Sequence, residues 1–524
     1  MKQHSFTTRL KSLAVVFGIA LAFASCANED VAQNPTNPNE DNDKNLTTFV
    51  AGDETKTRTS LDYNSSDFYW EAGDYIYVKD DDGTLQKSSN APTNKVASFK
   101  YKVPGKFTGN SYKVYYLGKN SNGSQVTIST AQTQAKPDDT EHFGTAGDYG
   151  TATATKVPNK QQFAFELEHQ PAYLVFQPYT SNTILHNCYL TKVEVTSDND
   201  IAETYTVNTS TDNLDASAVT DGKKIVLTTS GSSSNPNGFP LTNSSANVTT
   251  NGAYMVIKPG THTLKVRYWV KDVATYVEGT ITKLLPSTAY ASNTYYDMTA
   301  NLDVKDYDGD HYYMWDAQQQ YWYGYEWTKH LSGNTGQPTL NGNSSSNYAQ
   351  SNSDVSRWYH EGGGSPRLDA TQTCATLPNA NEMSWYCMYG DPRWDADELW
   401  ATMGHLYKGG MWFKKKSVLQ AEHHYDTEKS ADGSRDMRTT STVYSNTTNS
   451  GLPSAADAGN YFYLPALGGY GDGALGIVGN GGRYWSSSTY PWDSNNAYSL
   501  IFNIGSVTVS YSYRKFGFRV AGFE

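Results

Sequence analysis

Acidic residues crowd one stretch of the 524-residue chain: Asp391, Asp395, Asp397 and Glu398, with His405 just beyond. Two separated carboxyl groups are the minimum for hydrolysing a glycosidic bond, one serving as acid and the other as base or nucleophile. The same residues also suit a polar loop entering a helix over residues 395–403, where acids in the first turn complement the helix dipole. No Gly-x-Ser-x-Gly elbow, zinc-binding helix or phosphate loop accompanies them, so the chain is expected not to be an enzyme.

Metal chemistry finds little support. Asp306, Asp308 and Asp310 bracket Gly309 with a spacing that offers hard oxygen ligands to calcium, but no glutamate completes the loop, and an acidic linker is expected. Four cysteines, Cys26, Cys188, Cys374 and Cys387, are too few and too scattered for a disulfide framework or a four-ligand zinc site. Cys374 and Cys387 are close enough to bridge outside the cytoplasm, provided that a helix over 379–389 allows the geometry. His169, an isolated imidazole beside apolar strand residues, reads as structural. Neither metal nor cofactor is expected. Aromatic residues remain the best candidates for recognition: Trp394, Trp412, Tyr470, Tyr490 and Trp492 could stack on sugar rings or pack on a protein, whereas Trp485 suits a core.

Such residues need elements to hold them. With 40 Tyr, 12 Trp and 43 Gly the composition favours short strands joined by polar turns, and the length suits three folded units behind an export segment. Residues 263–270 alternate strictly, with Leu264, Val266, Tyr268 and Val270 predicted inward and Lys265 and Arg267 outward. The net charge of −12, with no dense Lys/Arg stripe, argues against a nucleic-acid partner. Beyond about residue 303 the texture changes, and helix-compatible segments at 379–389 and 395–403 predict a mixed α and β unit.

At the N-terminus, Lys2, Arg9 and Lys11 precede an apolar run from Leu13 to Phe23, the pattern of a secretory signal too short to span a bilayer. Phe23-Ala24-Ser25-Cys26 resembles a bacterial lipobox, whose cysteine is lipidated; Phe23 stands where Leu is usual. Residues 27–45 carry almost nothing apolar and are expected to form a disordered tether. Attachment to a membrane is then expected only through the lipid on Cys26, and the Glu29-Asp30 pair resembles signals that send Bacteroidales lipoproteins to the cell surface.

Thr57-Arg58-Thr59-Ser60, followed by Trp70-x-Ala72-Gly73-Asp74, an apolar strand and Glu168-His169-Gln170-Pro171, resembles the fimbrillin family of Bacteroidales surface proteins. The resemblance implies two transthyretin-like β-sandwiches, here 46–165 and 166–302, after a 1–25 signal peptide and a 26–45 tether. It also implies processing between Arg58 and Thr59, which would release a first strand at about 46–51. The slot left behind would accept a strand from another fimbrillin subunit. Leu377-Pro378-Asn379, Leu464-Pro465-Ala466, Tyr484-Trp485-Ser486-Ser487-Ser488 and Gly517-Phe518-Arg519-Val520 are similar to the Fibrobacter major paralogous domain. That similarity implies an α+β C-type lectin-like unit over 303–524. The triplets by which such lectins hold calcium and sugar together are missing, so no calcium site carries over.

The expected fold is thus mainly β, and the expected role is a fimbrial tip subunit or adhesin that accepts a donor strand and presents its third unit to a host or microbial glycan or protein ligand. The chain ends directly after its last expected strand, which suggests a subunit that takes a strand and gives none. The alternative is a non-polymerising surface lipoprotein that captures glycans. Both place the protein at the cell surface, as an outer-membrane lipoprotein precursor.

Overall fold

The computed structural model describes residues 2–5, 45–52, 60–63, 67–119, 121–307, 309–330, 346–359, 368–402 and 405–524. Cys26, Arg58, Thr59 and Asp308 lie outside these residues. The chain is mainly β, with 44% strand and 8% helix. Among the described residues no helix is long and apolar enough to cross a membrane.

The first region is one strongly curved sheet. In spatial order its strands are Leu85–Lys87, Ile76–Lys79, Ser111–Tyr116, Gly150–Lys156, Gln162–Phe165, Leu46–Ala51 and Phe99–Pro104. Alternating Tyr and Val make these half-buried strands, and Trp70 fills the centre, edge-on to Tyr101 and Tyr116 at 5.3 and 5.7 Å. The rest of the Trp70-x-Ala72-Gly73-Asp74 motif is a turn. Gly73 takes a φ of 82°, open to glycine at no steric cost. The buried Asp74 carboxylate accepts the Glu71 amide at 2.7 Å and the Tyr116 hydroxyl at 3.0 Å.

Residues 121–149 leave this sheet. Gln125–Thr127 and Ala131–Thr133 pair with Glu203–Asn208 and Lys224–Thr228 of the second region. The Gln132 and Gln134 side-chain amides then bond the backbone of residues 252–256 at 2.7–3.0 Å, satisfying an edge that would otherwise stand open. His169 is buried at this crossing, 3.0 Å from the Asp148 carboxylate and stacked on Phe68, the structural role its apolar neighbours predict.

The second region packs two sheets. One runs Thr294–Asn301, Ala172–Tyr179, Ala253–Ile257, with Lys2–Ser5 added antiparallel on its outer edge. The other centres on Cys188–Ser197 and the long hairpin Gly260–Asp272 and Glu278–Tyr290. Leu264, Val266, Tyr268 and Val270 face the core as their period predicts, but Lys265 and Arg267 are buried too. The third region covers the face expected to meet water. Lys265 Nζ reaches the Pro453 carbonyl at 2.6 Å, and Arg267 meets Asp395 at 2.8 Å.

That cover comes from Arg393–Thr402, His405–Lys414 and Tyr461–Pro465, which continue the second region's sheet through a parallel bridge from Thr280 to Glu398. Residues 395–403, expected as a helix, therefore begin within a strand. Burial of Leu399, Trp400 and Ala401 between two sets of strands outweighs a local helical preference that is weak at best. The helix expected over 379–389 is present as Ala380–Tyr389, started by an Asn379–Glu382 capping box. It lies against a six-stranded sheet whose centre is Gly481–Thr489, Asn496–Asn503 and Ser506–Tyr513. Trp485 is core, stacked on Phe518 at 4.4 Å and donating to the Tyr313 carbonyl. Cys374 and Cys387 are buried free thiols in separate apolar clusters, with Cys188 likewise free.

Candidate functional site

Leu46–Ala51 is the feature the first region is built around. It pairs along all six residues with Phe99–Pro104 on one side and over four residues, in parallel, with Gln162–Phe165 on the other. Its inward side chains, Phe49 and Ala51, are completely buried. Phe49 stacks on Phe163 at 5.0 Å and meets Phe107 edge-on at 5.1 Å. Taking this strand out would expose two rows of backbone groups and an aromatic-lined slot between them, the combination that a donated strand repairs. The chain leads from this strand to Arg58 and Thr59 within eight residues of Ala51.

The five aromatic candidates do not form one surface. Tyr470 is fully buried, packed on Tyr312 at 5.1 Å and on Tyr321 at 4.9 Å, and gives no surface to a ligand. Trp412 is committed internally: its indole N–H donates to Asp395 at 3.1 Å and its ring lies 5.1 Å from Tyr463. Tyr490 is half-buried against Tyr511, and Trp492 beside it is 77% exposed. Trp394 lies elsewhere, in an open cleft of about 670 Å³ at the meeting of the second and third regions. Residue type alone could not separate these positions, since burial of each ring is decided by what tertiary folding packs against it.

The carboxylates are likewise structural in placement. Asp395 is buried, held by Arg267, by Trp412 and by the amides of Asp397 and Glu398. Glu398 accepts from the Thr280 hydroxyl at 3.0 Å and from the Thr282 hydroxyl and amide at 2.6 and 2.9 Å. Desolvation, with Asp395 alongside, nevertheless pushes its carboxyl up to about 7. Asp391 is tied to Arg393 at 2.7 Å and to the Tyr461 hydroxyl at 2.5 Å, bonds that hold its carboxyl below the ordinary value despite partial burial. Asp397 meets Lys408 at 3.5 Å. Every one of these acids is thus engaged by a cation or a hydrogen-bond donor. Among the described residues no group of three or more His, Cys, Asp or Glu is placed to hold a metal ion.

Fold and geometry together define a multi-region, mainly β chain with a strand seated between two partners in the first region and an aromatic cleft where the second and third regions meet. No family model and no curated protein matches the sequence. Among solved structures, the chain is similar to a candidate cell adhesion protein of Bacteroides ovatus, at 14% identity and a TM-score of 0.30 over 49% of this chain and 93% of that one. A fimbrial protein of the same species matches at 13% identity and a TM-score of 0.22, over 52% of each chain. The fimbrial anchor protein Mfa2 of Porphyromonas gingivalis matches at 12% identity and 0.22, over 46% of this chain and 83% of that one. Each likeness is partial.

Proposed function

We propose that the protein is a fimbrial tip subunit or adhesin of the cell surface. Its first region accepts a strand from another subunit once Leu46–Ala51 is released, and its third region carries the ligand-binding surface. In this account the first two regions are transthyretin-like sandwiches and the third is C-type lectin-like. Cys26 carries the lipid of an outer-membrane lipoprotein precursor, and cleavage between Arg58 and Thr59 frees the strand.

The observation that carries the proposal is the seat of Leu46–Ala51, paired on both edges and contributing Phe49 to the core, with the candidate cleavage point within eight residues of Ala51 in sequence. A strand at a sheet margin could be lost with little consequence; one between two partners leaves a gap that must be refilled.

The test is capture of a labelled Leu46–Ala51 peptide by protein cleaved after Arg58 and stripped of its released segment. The account expects saturable capture by the cleaved protein and none by the intact one. Equal capture by both, or by neither, contradicts it.

A further inference from the structure

The Trp394 cleft is assembled from turns far apart in sequence. The hairpin linking Gly260–Asp272 to Glu278–Tyr290 brings Tyr276, the turn after Asn503 brings Ile504, and the loop before Gly481–Thr489 brings Asn480. Tyr407 and Lys408 complete the wall beside Trp394.

Tyr276 is 80% exposed and adopts a φ of 60°, a left-handed conformation that costs a tyrosine energy and that no burial of its ring offsets. Its turn is locked from below. The Asp272 carboxylate accepts the Ala274 amide at 2.8 Å and the Thr275 hydroxyl at 2.9 Å, and the Asp272 amide donates to the Val277 carbonyl at 2.8 Å. Ile504, 67% exposed, is a second large apolar side chain left in water at the same opening. Trp394 is set by Gly409, whose φ of 99° and close approach to the Gly479 carbonyl leave no room for a β-carbon. A rigid turn that holds an aromatic ring in water at a conformational cost is expected where the ring meets a ligand.

The polar groups select the ligand's charge. Lys408 is answered by Asp397 at 3.5 Å, and Glu278 accepts the uncharged Thr191 hydroxyl at 2.8 Å, so the lining holds no surplus of positive charge to draw an acidic ligand. The Asn480 side-chain amide carries neutral donors and an acceptor at the lining. Turns bring Tyr276, Asn480 and Ile504 to the opening, and the paired strands Arg393–Thr402 and His405–Lys414 bring Trp394, Tyr407 and Lys408, so a ligand meets side chains from both. The volume of about 670 Å³ is that of a small-molecule or oligomer subsite at a domain boundary.

We infer that this junction cleft binds a neutral oligosaccharide, with Tyr276 and Trp394 as its stacking faces and Asn480 and Lys408 reaching its hydroxyls. The inference rests on the adhesin reading above and names its ligand class and its site.

The test is titration calorimetry of the full mature protein with cellohexaose, xylohexaose, mannohexaose and maltohexaose, against a hyaluronan hexasaccharide and an unstructured decapeptide. Binding of at least one neutral hexaose is expected, weakened roughly tenfold by Tyr276→Ser and by Trp394→Phe or Trp394→Ala, and unchanged by Val355→Ser on a remote exposed turn. Tyr276→Ser alters only an exposed turn, so its effect is separable from misfolding. Binding lost through Trp492→Ala but indifferent to Tyr276→Ser would move the site and overturn the inference while leaving the adhesin reading intact. Binding of the acidic sugar or the peptide alone, or of none of the probes, overturns the ligand class. Failure of the adhesin reading is seen independently, in peptide capture by the first region.

Discussion

The first region's sheet and the junction between the second and third regions are held in opposite ways. The first region is held together through one six-residue strand that a single backbone cut could release. Among the described residues the contact between the second and third regions has one ladder bridge, yet it is fastened by side chains: the Arg267–Asp395 ion pair, Lys265 on the Pro453 carbonyl, and the Thr280 and Thr282 donors to Glu398. Backbone pairing is independent of sequence and can be replaced by another chain, whereas a buried polar network is satisfied by its own members alone. On the proposed function, the exchangeable interaction lies where assembly would need it and the specific one where a ligand site would have to stay in shape.

Breaking the exchangeable side has the largest expected effect. Removing residues 46–51 should abolish the first region's calorimetric transition and leave that of the third region in place, and adding the six-residue peptide should restore it. Phe49→Ala alone should cost about 3–5 kcal/mol in urea unfolding, since it empties a buried aromatic site. A first region that unfolds as before without its strand would erase the contrast.

On the fastened side, Asp395→Ala should cost about 3–5 kcal/mol by leaving Arg267 buried without its partner. The paired replacement Arg267→Met with Asp395→Leu should lie much closer to wild type, because the burden falls on the orphaned charge and not on the loss of attraction. If the single and double variants unfold alike, the junction is not held by this pair.

Glu398 sharpens the comparison through pH. Its carboxyl is raised from 4.5 to about 7, first by desolvation and then by Asp395. The folded state therefore holds a proton that the unfolded chain has released, and its contribution is full below pH 4.5 and lost as pH rises through about 7. Glu398→Gln should flatten that part of the Tm profile; a slope unchanged by the substitution would assign it elsewhere. The smallest effect is expected at Tyr276→Gly, which relieves a left-handed tyrosine and should raise stability by about 1 kcal/mol or less while weakening saccharide binding. A loss of stability there would mean that the ring packs in a way its exposure does not show.

Much of this contrast could be read from residue types. The Trp70 motif and the strand at about 46–51 were legible through the resemblance that carries them, and residues 379–389 through a helix-compatible run whose Asn379–Glu382 cap the structure adds. The junction was not. Lys265 and Arg267 look solvent-facing in any single-strand pattern, and only a neighbouring region contributed more than 100 residues later makes them buried. The same region turns 395–403 toward strand, where Leu399, Trp400 and Ala401 gain more from packing than from helical propensity. The cleft was hidden for a further reason: Tyr276, Trp394, Asn480 and Ile504 meet only through tertiary folding, and no spacing links them.

The most direct measurement is the N-terminal sequence of the protein recovered from the native cell surface. The account predicts a start at Thr59, with Leu46–Ala51 shed and the slot in the first region filled by a strand from another chain. A mature protein that begins only at lipidated Cys26, with its own strand still seated, would contradict strand acceptance and leave a free-standing surface lipoprotein.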